Sequence, residues 1–412
     1  MYGQGCKRRG ENLLQKPASS DYFAENSTSS LGREALSLHK KYRGKIEIKG
    51  KFPVRSVRDI SLVYTPGVAD VCRAIAADKE QVFKYTSKWN NIAIVTDGTR
   101  TLGLGDIGPE AALPVMEGKS LLYKQFGNVD AFPMCLNTRD VEEIIKTVKN
   151  IAPVFGGINI EDIETPKALE IVDRLAEELD IPVFHDDQHG TAVVMLAGLI
   201  NALRLTRKKY GDVSVLVAGA GSAGYGIVRI LHSFGIHNVT VTDSFGVISK
   251  DRDPATMNKY KLELASLTQT GGNTTLSEAI KGKDVFIGVS GVKDLITPEM
   301  VGSMNRGSII FPLTNPDPEI HPRLAARAGA KVIATGSYKF ENRANNALVF
   351  PFTMRAILDN RVRKIDQKLL IAISNALADL VPKEKLSPFN ILPDLMDKRI
   401  QPAVNRAVQS VS

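Results

Sequence analysis

Two series of short apolar runs alternate with longer segments of helical spacing. In the first series, residues 91–96, 153–159 and 181–185 predict buried strands. Between them, apolar spacing predicts an amphipathic helix over residues 140–150 and another from 165 to 179, with the Thr165 hydroxyl as its cap. This alternation of strands and helices favours a parallel sheet.

The second series follows a long apolar helix predicted from about residue 190 to 203. Its strands are predicted at residues 213–217, 238–242, 284–289, 308–313 and 331–334. The segment from residue 352 onward is predicted to be helical. The fold class is therefore α/β, with an N-terminal α/β domain and a second, Rossmann-like, doubly wound α/β domain that ends in helices.

The expected division of the chain follows these patterns. Residues 31–185 are expected to form the first domain, and residues 186–412 the second domain with its C-terminal helices. Residues 1–30 lack periodicity and predict a flexible tail or a targeting segment. The basic cluster at residues 7–9 and the serines favour targeting, whereas Glu11, Asp21 and Glu25 oppose it.

Composition excludes several classes of protein. The 412 residues are 43% hydrophobic and 24% charged, as in ordinary globular proteins. No run approaches the ~20 apolar residues of a membrane span. Three widely separated cysteines exclude a disulfide scaffold or zinc ribbon and fit a reducing compartment. The net charge of +8 admits anionic ligands, but no long basic run or aromatic-interleaved patch indicates nucleic acid.

A glycine motif of dinucleotide-binding type opens the second series. Gly219, Gly221 and Gly224 form G-x-G-x-x-G between a predicted strand and a predicted helix, and the next strand ends at Asp243, 24 residues after Gly219. The glycines permit a tight turn, close approach of the backbone to a pyrophosphate, and packing of helix on strand, while the acid accepts hydrogen bonds from a ribose diol. This context predicts a dinucleotide site.

Later strands of the second series end in residues that face the same edge of the sheet. Ser290 lies in the segment IGVSG, and Asn315 lies in Thr-Asn-Pro. Ligands bind at this edge in doubly wound sheets, although an Asn-Pro turn without a ligand explains Asn315 as well. The residues assigned to the cofactor are Gly219, Gly221, Ser222, Ala223, Gly224, Asp243, Ser290 and Asn315.

A second G-x-G-x-x-G, at residues 103–108, also lies between a strand and a helix. It lacks an acid-terminated second strand at the right distance, and its flanks carry charged residues. We therefore interpret it as a substrate-side loop with close backbone packing.

Paired carboxylates follow two strands of the first series. Glu161 and Asp162 follow one strand, and Asp186 and Asp187 follow the next, so both pairs fall at carboxyl ends of parallel strands. Adjacent carboxylates repel one another unless a cation offsets them, and Mg²⁺ or Mn²⁺ prefers such oxygen ligands. The alternative is that the second pair and Thr191 cap the following helix. Nearby histidines suggest zinc, but the oxygen majority argues against it.

The motifs together are specific. They are residues 63–68 (VYTPGV), 96–108 (TDGTRTLGLGDIG), 114–119 (PVMEGK), 158–163 (INIEDI), 183–192 (VFHDDQHGTA), the 219–224 loop and 314–320 (TNPDPEI). With these, the chain from about Leu31 to its C-terminus resembles the malic enzymes, in the compact form common in bacteria and archaea. The resemblance implies oxidative decarboxylation of L-malate to pyruvate and CO₂ with NAD or NADP and Mg²⁺ or Mn²⁺. It also implies a homodimer, with residues 31–185 as the substrate domain and residues 186–412 as the dinucleotide-binding domain.

The resemblance assigns roles to individual residues. The catalytic residues would be Tyr64 as general acid, Lys119 as general base and Asp186 beside the lysine. The metal ligands would be Glu161, Asp162 and Asp187, and the substrate contacts Arg100, Asn315 and Asn346. Desolvation and a nearby metal are expected to lower the pKa of Lys119, because the lysine acts as a base only when neutral.

The chain departs from the family pattern in two places. Residues 340–343 (FENR), before Asn346, stand where a proline and a glutamine are expected. Phe245 stands where some NADP-using relatives carry lysine, which with Asp243 favours NAD, although Ser244, Lys250 or Arg252 could meet a 2′-phosphate.

Two other functions remain open from the sequence: malolactic conversion of malate to lactate, and an inactive dinucleotide-binding regulatory protein. The expected compartment is the cytoplasm, or a mitochondrion-related organelle if residues 1–30 are a targeting peptide.

Overall fold

The computed structural model describes residues 30–268, 275–337 and 339–411. Contacts divide the chain into two units, residues 1–45 and 46–412. In the first unit, the described residues form helix α1 (Ser30–Tyr42), which has no buried residue and carries basic side chains in its last turn, where they complement the helix dipole. The predicted tail or targeting segment, apart from Ser30, lies outside the described residues.

The second unit begins with exposed helices. Their bounds are α2 (Val57–Val63), α3 (Val68–Ala77) and α4 (Val82–Tyr85), and none of the three contains a buried residue. A four-stranded sheet follows, in which all neighbours are parallel and the spatial order is β2-β1-β3-β4. Its strands are β1 (Asn91–Thr96), β2 (Asp130–Cys135), β3 (Gly157–Ile160) and β4 (Val183–His185). The helices between them are α5 (Pro109–Gly127), α6 (Val141–Ile151) and α7 (Lys167–Glu178).

The pattern predicted this sheet with one omission. Strand β1 matches the prediction, whereas β3 starts only at Gly157, because residues 152–154 form a short 3₁₀ turn. Strand β2 was not predicted. All its residues are only half-buried and it contains Pro133, so it lacks the apolar run of a buried strand.

The second sheet has six strands in the order β10-β9-β8-β5-β6-β7. They are β5 (Val215–Ala218), β6 (Val239–Asp243), the antiparallel β7 (Gly246–Val247), β8 (Val285–Gly288), β9 (Ile309–Pro312) and β10 (Val332–Ile333). The five predicted strands are all present, and the two-residue β7 was not predicted. The fold is α/β with a Rossmann-like, doubly wound second sheet, as predicted.

The remaining helices surround this sheet and form the C-terminal segment. They are α8 (Thr191–Thr206), α9 (Ser222–Phe234), α10 (Lys259–Leu267), α11 (Leu276–Ala279), α12 (Pro298–Gly302), α13 (Pro322–Arg327), α14 (Phe350–Asp359), α15 (Gln367–Asp379) and α16 (Ile400–Gln409). Every residue of α8 from 192 to 203 is buried, and its core cluster includes side chains of both sheets. A domain boundary between residues 185 and 186 therefore separates the two sheets, although side chains of both sheets pack in one core cluster around α8. We propose this boundary.

Two helical stretches of the described residues are long and apolar enough to cross a membrane, which the sequence pattern did not predict. Residues 186–206 are one of them, and 78% of the qualifying window is buried inside the protein, so this stretch is a core helix. The other, residues 57–77, is not buried by the chain itself. Its exposed apolar side chains are considered below.

Candidate active site

The two acidic pairs converge at one edge of the first sheet. Strands β3 and β4 are parallel neighbours, so Glu161 and Asp162 leave one strand where Asp186 and Asp187 leave the next. Glu161, Asp162 and Asp186 are buried, whereas the side chain of Asp187 is 39% exposed. The arrangement predicted from the strand ends is therefore present.

Lys119 brings a cation into this cluster from the middle of α5. Its side chain is only 8% exposed. The ammonium donates hydrogen bonds to Glu161 and, at 2.5 Å, to Asp186 Oδ2, and it lies 4.5 Å from the ring centroid of Phe350. Lysine and carboxylates thus form one buried charged cluster, at a sheet edge where ligands commonly bind.

Burial and the charges of the protein itself act on Lys119 in opposite directions. Burial alone would lower the pKa of Lys119, but the charges of Asp186 and Glu161 outweigh burial and raise that pKa. Burial together with the charges of Asp186 and Asp187 raises the pKa of Glu161 to about 7, despite the neighbouring lysine. Burial and the charges of Glu161 and Asp187 raise the pKa of Asp162 well above its usual range. The single positive charge of Lys119 therefore does not balance the negative charges of these carboxylates.

The same residues fit a hard divalent cation. Asp162 Oδ2 and Asp186 Oδ1 are buried without a hydrogen-bond partner, and Asp162 has a left-handed backbone with φ +50°. A cation would satisfy the orphaned oxygens and relieve the repulsion among the carboxylates. As placed within the described ranges, no three His, Cys, Asp or Glu side chains already surround a common point. The metal set of Glu161, Asp162 and Asp187 stays a prediction.

The capping alternative for Asp186 and Asp187 does not describe the structure. A π-type turn at Asp186–Gly190 precedes α8, and neither this turn nor α8 has a side-chain cap. Asp186 instead accepts from Lys119, and the Thr191 hydroxyl donates to Asn346 at 3.2 Å.

The two histidines beside these aspartates are buried. Burial lowers the pKa of His185, and burial and the neighbouring His185 lower that of His189 to about 3. Both are therefore neutral at physiological pH. The His189 ring nitrogen Nδ1 accepts a hydrogen bond from the backbone N–H of His185, which is a structural role.

The second glycine motif lies against both sets of strand ends. The Arg100 N–H donates to the Asp162 carbonyl at 3.0 Å, and its guanidinium lies 3.6 Å from where a Cβ on Gly291 would stand. A Cβ on Gly98, which has φ +72°, would lie 2.3 Å from the Gly108 carbonyl oxygen. The close backbone packing predicted for this loop is thus present, and the loop places Arg100 between the acidic cluster and the second sheet.

Asn346 joins the cluster in spite of the altered segment before it. Its side chain acts on Asp186, where it opposes the rise that burial causes in the pKa of that carboxyl. In that altered segment, Asn342 is buried, donates to the carbonyls of Ile333 and Pro388, and accepts from the N–H of Ile391. The departure from the family pattern therefore serves backbone packing, and Asn346 still lies at the site.

Tyr64 is the predicted site residue that the chain does not bring to the cluster. It follows the last residue of α2, is 69% exposed, and its hydroxyl has no hydrogen-bond partner among the described residues. Asn315 lies in the loop after β9, where the proline that follows it packs 3.1 Å from where a Cβ on Gly103 would stand. Its side chain makes no hydrogen bond within the described part of the chain.

The dinucleotide loop has the close packing that its glycines predict. Gly219 has φ +120°, and a Cβ on Gly224 would lie 1.9 Å from the Gly219 carbonyl oxygen. The N-terminus of α9 carries an unexpected contact, because the Ser222 N–H donates to Thr165 Oγ1 at 3.1 Å. The prediction that Thr165 caps α7 is therefore wrong: that helix has no side-chain cap, and the hydroxyl links the two sheets.

Asp243 ends β6, as predicted, and two cations hold it. Arg252 contacts it at 2.7 Å and Lys261 at 2.8 Å. Burial would raise the pKa of Asp243, but hydrogen bonds from Arg252 and Lys261 outweigh burial and lower it. Phe245, 62% exposed, lies beside both cations. Sequence reasoning found Arg252 as a possible phosphate contact and missed Lys261.

Two residues that orient Glu161 were also missed. Tyr123 donates to Asn159 Oδ1 at 2.8 Å, and Asn159 Nδ2 donates to Glu161 Oε2 at 2.8 Å. Both side chains are fully buried. The available signal was an asparagine inside the apolar strand β3, because a buried polar group needs hydrogen-bond partners.

A Rossmann-like sheet that faces a buried lysine–carboxylate cluster defines a dinucleotide-dependent enzyme with acid–base chemistry. Comparison with known families agrees. The family described as "Malic enzyme, N-terminal domain" matches residues 43–176, and "Malic enzyme, NAD binding domain" matches residues 188–409. The chain belongs to the malic enzyme family.

Individual relatives are similar over most of their length. The chain is 50% identical to the bifunctional malic/malolactic enzyme of Bacillus subtilis over 92% of each chain. It is 49% identical to an NAD-dependent malic enzyme of Geobacillus stearothermophilus, over 89% of this chain and 76% of the relative. The crystal structure of the NAD-dependent malic enzyme of Thermotoga maritima superposes with a TM-score of 0.86 at 45% identity, covering 91% of this chain and 98% of that one.

Proposed function

We propose that this protein catalyses the oxidative decarboxylation of L-malate to pyruvate and CO₂ with reduction of NAD or NADP. The observation that carries the proposal is the buried cluster of Lys119, Glu161 and Asp186, next to a loop that reaches the second sheet through Arg100. This arrangement can hold a proton acceptor, a carboxylate-binding cation and a dinucleotide at one place. The similarity to enzymes named for malate supports the substrate.

The acid–base work falls to Lys119. Malate must lose its C2 hydroxyl proton as the C2 hydride leaves, and a lysine held between two carboxylates can take up that proton and share it with Asp186. The raised pKa of the lysine means that it must first lose its own proton. A dication at the carboxylates would reduce the charge that holds this proton in place.

The remaining groups bind and orient. The Arg100 guanidinium suits a carboxylate of malate, and the amides of Asn315 and Asn346 suit its oxygens. Glu161, Asp162 and Asp187 would hold Mg²⁺ or Mn²⁺. When bound, the cation supplies Lewis-acid stabilisation of negative charge on oxygen, and the dinucleotide supplies the hydride acceptor. The family resemblance assigns to Tyr64 the proton that C3 needs after loss of CO₂, although within one chain Tyr64 lies away from the cluster and is 69% exposed.

The test is a steady-state assay that crosses NAD and NADP with Mg²⁺ and Mn²⁺ and measures pyruvate and reduced cofactor together. We expect equal amounts of both products and no activity without a divalent cation. Absence of turnover in all four combinations would refute the proposal and favour a regulatory dinucleotide-binding protein. Lactate without net NADH would favour the malolactic reaction instead, a second candidate because the Bacillus subtilis relative carries both names.

We propose NAD as the preferred cofactor. Asp243 offers the acceptor that a ribose diol needs, and Phe245 stands where a lysine would favour NADP. Arg252 and Lys261 are paired with Asp243, so this carboxylate already offsets part of the positive charge that a 2′-phosphate would need. A kcat/KM for NADP equal to or above that for NAD would refute this preference.

We propose a homodimer in which the second copy covers the exposed apolar surface formed by residues 46–64. Ile48 is 90% and Val57 80% exposed, and large apolar side chains rarely cluster on the surface of a monomer. Tyr64 lies on this surface, so pairing would also remove it from water. In analytical sedimentation, the wild-type protein should be a dimer and the Val57→Asp variant a monomer. A monomeric wild-type protein would refute the proposal.

We propose that the enzyme works in the cytoplasm. A fluorescent fusion should give the same diffuse distribution with and without residues 1–30. An organellar pattern that is lost on their removal would favour the targeting alternative.

A further inference from the structure

A buried carboxylate outside the lysine cluster joins two loops of the second sheet. The side chain of Glu319 is fully buried near the carboxyl ends of β8 and β9. Its Oε1 accepts hydrogen bonds from the Ser290 N–H and hydroxyl, each at 3.0 Å, and from the Thr314 hydroxyl, while Oε2 accepts from the Thr314 N–H at 3.2 Å. One carboxylate therefore holds both loops.

The surroundings of Glu319 are matched to it. Gly288 ends β8, and a Cβ there would lie 2.4 Å from the Glu319 carboxyl carbon, so only glycine leaves room for the carboxylate. Among the described residues, no lysine, arginine or histidine forms an ion pair with Glu319. Burial of a charge without a cation is costly unless hydrogen bonds satisfy it. Here those bonds come from Ser290 and Thr314, so the charge is satisfied only while both loops keep their positions.

Further hydrogen bonds hold the same two loops in place. The Gly291 N–H donates to the Thr314 hydroxyl at 3.0 Å, and the Val292 N–H donates to the Ser290 hydroxyl at 3.1 Å. The loop after β9 continues to Pro316, which packs against Gly103 of the substrate-side loop. Glu319 is therefore the centre of a network that reaches toward the malate side of the site.

Sheet order assigns these loops to one half of the dinucleotide. Asp243 ends β6, on one side of β5, and marks the adenosine half, whereas β8 and β9 lie on the other side of β5. A dinucleotide crosses this sheet at β5, so the loops after β8 and β9 face its nicotinamide half. The hydride-accepting ring would therefore rest near Ser290 and Asn315.

We propose that Glu319 is a positioning residue that fixes the Ser290 and Asn315 loops for the nicotinamide half of the cofactor. This inference rests on the proposed function, because it assigns Glu319 to alignment of that ring with malate. It is tested through binding as well as turnover.

The informative substitution is Glu319→Gln, which keeps the size of the side chain and replaces one acceptor oxygen by a donor. Each oxygen of Glu319 accepts from a backbone N–H, that of Ser290 or that of Thr314. In either orientation of the glutamine amide, its NH₂ group therefore faces one of these two donors, so one of the loops must shift. In fluorescence titration without malate, we expect the Kd for NADH to rise about tenfold, while the Kd for AMP by calorimetry changes less than about twofold. In the assay with malate and metal, kcat/KM should fall about 10- to 100-fold.

Three control variants separate positioning from folding. Ile320→Val, at a buried neighbour, should lower the unfolding midpoint while the NADH and AMP affinities keep their ratio. Thr314→Val removes one hydroxyl donor to Glu319 and should reproduce the selective loss of NADH affinity. Thr314→Ser keeps the hydroxyl and should bind NADH as tightly as the wild-type protein does. If Glu319→Gln does not fold, the Thr314 pair carries the test.

Equal weakening of NADH and AMP, or unchanged affinity for both in Glu319→Gln, would overturn the inference. So would a Thr314→Val variant that behaves as Thr314→Ser does. If the wild-type protein lacked malate activity but the selective loss of NADH affinity were present, the proposed function would fail and the positioning of the nicotinamide half would stand.

Discussion

Replacement of Lys119 by methionine tests the electrostatics of the cluster most directly. Methionine keeps most of the buried stem and removes the ammonium that Glu161 and Asp186 share. Loss of one partner of a buried ion pair typically costs about 3 to 5 kcal/mol, because the remaining charges stay buried without compensation. We expect a loss of this size in the free energy of unfolding near pH 8, with EDTA present.

The loss should depend on pH in a defined direction. Burial already raises the pKa of both carboxyl groups above their unfolded values, and removal of Lys119 withdraws a contribution that lowers them. A folded state with raised carboxyl pKa binds more protons than the unfolded state, so stability falls as pH rises from about 4.5, the ordinary glutamate value, through the folded pKa. The difference between Lys119→Met and wild type should therefore shrink to less than half near pH 5.

The assay is urea unfolding followed by circular dichroism at the two pH values. Lys124→Met is the matched control, because Lys124 lies on the same helix and pairs with Asp130 at 2.8 Å, but its side chain is 53% exposed. Such surface pairs contribute at most about 1 kcal/mol. If Lys119→Met destabilises no more than the control, or equally at both pH values, the electrostatic argument is wrong.

Three further predictions concern the site. Arg100→Gln should raise KM for malate at least about tenfold, because one bidentate carboxylate contact is lost, and should leave the Kd for NADH unchanged. Steady-state kinetics measure the KM and fluorescence titration the Kd; an unchanged KM would show that Arg100 does not bind malate. Asn159→Leu should weaken Mn²⁺ binding by about tenfold, because Glu161 loses the amide that orients it. Paramagnetic resonance titration measures this affinity, and an unchanged value would show that Asn159 has only a packing role. Gly98→Ala should lower the free energy of unfolding by about 1 to 3 kcal/mol, because the new Cβ meets the Gly108 carbonyl at 2.3 Å in a left-handed backbone. An unchanged stability in thermal denaturation would contradict the close packing of this loop.

The sequence by itself determined the fold class and the location of most strands. Apolar runs bounded by glycine or acidic residues identify strands that are buried on both faces, and such strands need no partner information to be recognised. Two of the three glycines at residues 219–224 are required by close backbone contacts. A Cβ on Gly219 would lie 2.5 Å from the Val289 carbonyl oxygen, and one on Gly224 would lie 1.9 Å from the Gly219 carbonyl oxygen, whereas one on Gly221 would meet only Thr165 Oγ1 at 3.7 Å. The half-buried β2 was missed because its pattern depends on what covers it.

Only the tertiary structure decided which polar groups meet. Thr165 has the position of a helix cap, yet its hydroxyl binds Ser222, which is distant in sequence. The pKa of Lys119 depends on two carboxylates contributed by other strand ends, so its direction could not be read from the segment around it. Glu319 lies in a motif that the sequence identified, but its role follows from four donors on two separate loops. Local periodicity fixes elements, whereas the charge and hydrogen bonding of a buried group depend on every element packed around it.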